Sequence, residues 1–119
     1  IQGFSNFFAN NAEDVDLCWR AIESGAKLVY VPDVVIYAHN VTTLKGIAKK
    51  SFRNGVSSSK LQKKYGNRFN CDPSIYKMLL KNIAGLVKKE TDAELNCIEL
   101  ICHLLGKYYG SLKVGVINI

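Results

Sequence analysis

Apolar side chains recur at helical intervals from residue 43 to residue 113, and this repeat constrains the fold more than any other feature. The first helix predicted there begins at Thr43 and is weakened by its glycines and bent near the serine run 57–59. The second opens at Asp72-Pro73, a cap followed by proline at the first helical position. The third opens with the capping box Thr91-x-x-Glu94 and ends near Gly110. The larger part of the chain is therefore predicted to be helical.

A shorter helix is predicted ahead of this region, with Asn11 as its N-cap and Gly25 as its stop. Two runs of β-branched and aromatic residues follow, 27–31 and 34–38, and they are typical of strands. Their nearly continuous apolarity predicts strands covered on both faces, as in an α/β sheet. The fold class expected is α+β and mostly helical, with a short two-strand element at about residues 27–38, one helix before it and about three after it.

Charge is divided unevenly along the 119 residues, whose net charge is +6. Residues 45–89 hold twelve basic and one acidic side chain, whereas the segments on either side are net acidic. Such a block favours a phosphate-rich partner, which can be a nucleotide, a nucleic acid or an anionic lipid surface. A solvated helical face is the alternative interpretation. The ordinary composition, 48% hydrophobic and 22% charged, excludes a disordered chain.

Segment 13–39 is the strongest candidate for a catalytic role, because it begins with a cluster of carboxylates at a helix start. The cluster consists of Glu13, Asp14 and Asp16. A carboxylate at the edge of a sheet can face a ligand cleft and act as a general base towards a hydroxyl. Acidic residues in the first turn also stabilise a helix by about 0.3–1 kcal/mol each, so a structural role is the alternative.

An ordered set of motifs runs through residues 1–40, and its members are Gly3-Phe4, Phe8, Glu13-Asp14, Asp16-Leu17-Cys18, Arg20, Gly25, residues 29–33, Val35, Tyr37 and His39. This set resembles the C-terminal part of the catalytic domain of family 2 glycosyltransferases, which have the GT-A fold. A looser resemblance extends through 52–55 and 105–113. The early loop departs from the family pattern, because Ser5-Asn6 stands where the family has an acidic pair.

The resemblance implies inverting transfer of a sugar from a nucleotide donor to an acceptor hydroxyl. It makes Asp14 the catalytic base, with Glu13 and Asp16 as alternates. Three further residues are implied as substrate contacts, and the histidine among them is also a candidate metal ligand. They are Trp19, for which a core position is the alternative, His39 and Arg53.

The resemblance also divides the chain into residues 1–42, the C-terminal end of a GT-A-like catalytic domain, and 43–119, a basic helical C-terminal region. It implies a divalent metal, Mg or Mn, in the full-length enzyme, and we expect none to be held by these residues. The implied partners are a nucleotide-sugar donor and an acceptor glycan or lipid-linked acceptor, with no nucleic acid. We expect a cytoplasmic location, either free or on the anionic inner face of a membrane, and no activity without a nucleotide-binding half.

Two other classes of protein stay open. A basic helical nucleic-acid-binding module would use the charge of residues 45–89, but it leaves 13–39 unexplained and shows no recognisable docking motif. A protein-interaction module is the other, and exposed sheet edges in an incomplete sheet predict that the chain associates with itself.

Overall fold

The computed structural model describes residues 3–8, 11–66, 74–88 and 92–116. The regular structure in these ranges is helical throughout. A short 3-10 turn at Asn6–Phe8 precedes four helices, which are α1 (Glu13–Glu23), α2 (Leu44–Tyr65), α3 (Ser74–Val87) and α4 (Ala93–Val114).

The two strands predicted at about residues 27–38, and with them the partial GT-A α/β fold, are wrong for the described residues, which contain no strand. Residues 26–43 carry one turn, in which the Val34 N–H donates to the Val31 carbonyl at 3.2 Å across Pro32-Asp33. The apolar side chains of this segment are exposed, and Tyr37 is 93% exposed. A strand needs a neighbouring backbone to complete its hydrogen bonds. Since no described segment pairs with this one, its β-forming composition does not produce a strand.

Small residues hold α2 and α4 together along their length. Phe52 lies against Gly106 and Val56 against Gly110, so the contacts advance in the same direction along both helices, which therefore run parallel. A Cβ added to Gly106 would lie 2.0 Å from the Phe52 carbonyl oxygen, which only glycine avoids. The Ser59 hydroxyl donates to the Lys107 carbonyl at 2.7 Å. This close approach requires the small side chains that weaken the helical pattern in sequence.

Several predicted helix features are corrected by this packing. The serine run 57–59 does not bend α2, because it lies within the helix, with Ser57 and Ser59 buried. Gly110 packs against α2 instead of ending α4, which continues to Val114 and stops at Gly115 in the left-handed region. The predicted caps at Asp72-Pro73 and Thr91 lie outside the described residues.

The N-terminal segment is fastened to the C-terminal half of α2. The Trp19 and Tyr65 rings lie 4.8 Å apart, and Phe8 is fully buried. The Lys64 ammonium lies 5.5 Å from the centre of the Phe8 ring. These contacts bring the acidic first turn of α1 beside the basic helix α2. Among the described residues, none of the helices combines the length and hydropathy that crossing a bilayer requires.

Candidate functional site

Asp16 is fully buried at the junction of α1 and α2 and accepts hydrogen bonds from three side chains. The Arg20 Nε donates to one carboxylate oxygen at 2.9 Å. The Lys64 Nζ and the Tyr65 hydroxyl donate to the other oxygen, at 2.5 and 2.6 Å. Two of the partners come from the last turn of α2, so a single carboxylate joins the two helices.

The ionisation of Asp16 and Tyr65 follows from this environment. Burial raises the pKa of Asp16, but the hydrogen bonds from Lys64, Tyr65 and Arg20 outweigh it and hold the pKa below its ordinary 3.8. Burial, followed by the hydrogen bond to Asp16, raises the pKa of Tyr65 to about 12. A carboxylate this firmly ionised and this fully engaged is a poor proton acceptor for a substrate, and the arrangement indicates an anchoring role.

Asp14 has the opposite environment, although it lies only two residues away. Its side chain is exposed, and its Oδ1 accepts a hydrogen bond from the Val15 N–H at 2.8 Å. The other carboxylate oxygen has no partner among the described residues. Glu13 buries its Oε2 without a hydrogen-bond partner in the same part of the structure. The first turn of α1 therefore holds one anchored carboxylate and two with free oxygens.

The start of α1 departs from the predicted N-cap. Asn11 does not cap the helix, because its Nδ2 donates to the Asn54 Oδ1 of α2 at 2.7 Å. Ala12 takes the N-cap position in the left-handed region at φ 66°, with no side-chain cap. A non-glycine residue there costs about 1 kcal/mol or more. The acidic turn that follows is joined to α2 by the Asn11–Asn54 hydrogen bond and by the bonds of Asp16 to Lys64 and Tyr65.

A basic cleft of about 270 Å³ lies between the N-terminal half of α2 and residues that precede that helix in the chain. Three cations from α2 meet two amides there, and one of those amides belongs to Asn11, two residues before Glu13. The lining residues are Asn11, Val41, Gly46, Lys49, Lys50, Arg53 and Asn54. We call this set the basic cleft.

A larger cleft of about 530 Å³ lies among α2, α3 and α4. Its charged lining consists of Lys81 and Glu99 of opposite sign, beside amides and apolar side chains. Burial, with a smaller effect of Lys107, lowers the pKa of His103 on its wall. This balance gives the larger cleft no preference for anions, in contrast to the basic cleft.

The structure separates the three predicted substrate contacts. Arg53 lines the basic cleft, whereas Trp19 packs on the Tyr65 ring in the α1–α2 junction. His39 is exposed in the segment without helix or strand. Within the described residues, no group of three or more His, Cys, Asp or Glu side chains could hold a metal ion. His39 therefore has no such group of partner ligands among the described residues.

Sequence reasoning did not single out Lys49 and Lys50 or their amide neighbours. A signal for them exists, since positions 46, 49, 50 and 53 are spaced i, i+3, i+4 and i+7 and share one helix face. Lys64 and Tyr65 were also missed, and no local signal marks them as partners of Asp16.

Comparison with known proteins gives a local similarity. Over 47 residues the chain is 47% identical to the pre-mycofactocin glycosyltransferases of two strains of Mycobacterium tuberculosis. No protein-family model and no solved structure matches the chain. The matched stretch is 39% of this chain and spans 10% of the length of each relative, so the similarity to glycosyltransferases is confined to that stretch.

Proposed function

We propose that this chain is part of a family 2 glycosyltransferase that moves a sugar from a nucleotide-sugar donor to an acceptor hydroxyl with inversion. The observation that carries the proposal is that two nearby carboxylates differ in burial and in hydrogen bonding. Asp16 is buried and engaged by three donors, whereas Asp14 is exposed with one free oxygen. The local similarity to named glycosyltransferases supports the reaction class.

Asp14 is the proposed general base. Its free oxygen takes the proton of the acceptor hydroxyl while that hydroxyl oxygen forms a bond to the anomeric carbon. The bond from the same carbon to the nucleoside diphosphate breaks, and the diphosphate leaves with the electron pair. Attack on the face opposite the leaving group inverts the configuration. Glu13, with its unpartnered Oε2, is the alternate base.

Asp16 is proposed to position the base. Its bonds to Lys64 and Tyr65 fix the first turn of α1 against α2, so the direction of Asp14 depends on them. A base held in the correct position relative to the reacting atoms lowers the activation free energy, because the entropic cost of orienting it is met before the reaction. The left-handed backbone at Ala12 can persist only if such contacts compensate for it.

Other parts of the enzyme are proposed from the reaction class. The Mg or Mn that the resemblance implies, and the rest of the donor site, would be supplied by residues other than those described, among which no group of three or more His, Cys, Asp or Glu side chains could hold a metal ion. The described residues alone would then be inactive. Arg53 and His39 stay proposed substrate contacts, and the acceptor is a glycan or a lipid-linked molecule. Self-association, and a cytoplasmic location at an anionic membrane face, also stay predictions.

The proposal is tested on the full-length protein with UDP-, GDP- and dTDP-hexoses, Mn²⁺ or Mg²⁺, and a set of glycan and lipid-linked acceptors. Nucleoside diphosphate release detects transfer, and proton NMR of the fresh product gives its anomeric configuration. We expect acceptor-dependent release and a product of inverted configuration. A retained anomeric configuration would refute the single-base mechanism. If no donor gave nucleoside diphosphate release, the proposed transferase activity would be refuted.

A further inference from the structure

The cations of α2 fall into two groups that differ in how the fold uses them. In the C-terminal half, Lys60 donates to the Phe7 carbonyl at 3.0 Å and Lys63 to the Val114 carbonyl at 2.6 Å. Lys64 bonds Asp16, as described above. These three ammonium groups hold other parts of the chain in place.

Three cations in the N-terminal half of α2 do not hold other parts of the chain in this way. Lys49, Lys50 and Arg53 form no hydrogen bond or ion pair with any described residue. Three like charges on one face repel one another, which costs free energy unless an anion compensates them. Their charge is therefore available to a ligand.

These three exposed cations line one open cleft. The i, i+3, i+4 and i+7 spacing of Gly46, Lys49, Lys50 and Arg53 places them on one face of α2, which forms a wall of the basic cleft. Amide groups complete the lining, and the Asn11–Asn54 hydrogen bond of 2.7 Å orients them. The cleft also lies beside the first turns of α2, where the helix dipole is positive.

We propose that the basic cleft binds a phosphate or diphosphate group. Arginine forms paired hydrogen bonds with phosphate oxygens, and lysine ammonium groups add charge without fixed geometry. Pockets for drug-sized ligands measure about 300–1,000 Å³. The 270 Å³ here therefore suits a small anionic group rather than a whole nucleotide sugar. This inference rests on the cleft alone and holds whether or not the chain transfers sugars.

Two carriers could present the same group, a nucleoside diphosphate or an anionic lipid. Binding of inorganic pyrophosphate to the chain is measured by calorimetry at about 0.15 M salt, where long-range attraction is screened. The same measurement with UDP and GDP tests the nucleotide. Sedimentation with phosphatidylcholine vesicles, with and without phosphatidic acid, tests the lipid.

The cleft variant combines Lys49→Gln, Lys50→Gln and Arg53→Gln. The matched control combines Lys45→Gln, Lys77→Gln and Lys88→Gln, which removes the same charge from exposed positions of the same basic block outside the cleft. Arg53→Gln alone serves as a milder variant, and circular dichroism checks that each protein keeps its helices.

We expect the cleft variant to lose pyrophosphate affinity by about tenfold or more, the control to change by less than about twofold, and Arg53→Gln to lie between them. The carrier whose binding falls in the cleft variant but not in the control is the one the cleft takes. Absence of pyrophosphate binding, or an equal loss in both triple variants, would overturn the site.

Discussion

The hydroxyl of Tyr65 lies 2.6 Å from the carboxylate of Asp16, and this hydrogen bond joins the last turn of α2 to the first turn of α1. Because the same carboxylate also accepts from Lys64 and Arg20, the junction depends on the charge of one buried group. The neighbouring Asp14 takes no part in it.

Asp16→Asn removes that charge and leaves Lys64 and Arg20 facing an amide. Breaking a buried ion pair by changing one partner is strongly destabilising, so we expect the free energy of unfolding to fall by about 3 kcal/mol. Urea denaturation followed by circular dichroism measures it. Asp14→Asn, at an exposed position of the same turn, is the control and should change stability by less than about 1 kcal/mol, the upper end of its helix-dipole contribution. Equal effects of the two substitutions would argue against the anchoring role.

Acid should weaken the same junction. The folded-state pKa of Asp16 lies below its ordinary 3.8, so the folded protein binds this proton less readily than the unfolded chain does. The contribution of Asp16 to stability is fully present above that value and is lost as the pH falls from it towards the folded-state pKa. The difference in unfolding free energy between wild type and Asp16→Asn should therefore shrink below about pH 4. A difference independent of pH would contradict the depressed pKa.

High pH should weaken the contribution of Tyr65, the hydrogen-bond partner of Asp16. The pKa of Tyr65 rises from 10.0 to about 12 on folding, so its contribution is complete below 10.0 and is lost as the pH rises towards about 12. Tyr65→Phe keeps the ring that packs on Trp19 and removes only the hydroxyl. We expect the stability difference between wild type and Tyr65→Phe to shrink across that interval in urea titrations. A constant difference would mean that the hydroxyl does not stay protonated through its bond to Asp16.

The parallel pairing of α2 and α4 makes a separate prediction. In Gly106→Ala the new Cβ would lie 2.0 Å from the Phe52 carbonyl oxygen, a backbone atom that cannot rotate away. We expect a loss of about 3 kcal/mol in thermal or urea unfolding, despite the better helix propensity of alanine. Gly3→Ala is the control, since its Cβ would meet nothing within 4 Å. A neutral Gly106→Ala would show that the two helices do not approach this closely.

Local periodicity predicted the helical part of the fold and could not predict the rest. The pattern that begins at Thr43 yields α2, with Thr43 as its N-cap accepting from the Gly46 N–H at 3.2 Å. The strands failed because a strand depends on a partner that composition does not supply. Gly55 seemed to weaken its helix locally, whereas in the fold Gly55 and Gly106 permit the close contact between α2 and α4.

Local sequence also could not predict the roles of individual residues in the candidate site. Glu13, Asp14 and Asp16 look alike in the sequence, since each is an acid in a first turn, and their difference arises from contacts 48 and 49 residues away. Helical spacing could have grouped Lys49, Lys50 and Arg53. It could not have shown that they lack internal partners while Lys63, on the same helix, reaches a carbonyl 51 residues away.

The most direct test of the proposed base compares Asp14→Asn with Asp92→Asn in the full-length protein, using transfer from the preferred nucleotide sugar as the readout. Asp92 is also exposed and is the N-cap residue of α4. Its substitution by asparagine therefore matches Asp14→Asn in the change of charge and side-chain size. If Asp14 is the base, Asp14→Asn lowers kcat by about 100-fold or more and the unfolding free energy by less than about 1 kcal/mol, whereas Asp92→Asn leaves kcat at the wild-type value. An Asp14→Asn protein that transfers sugar at the wild-type rate would contradict the account.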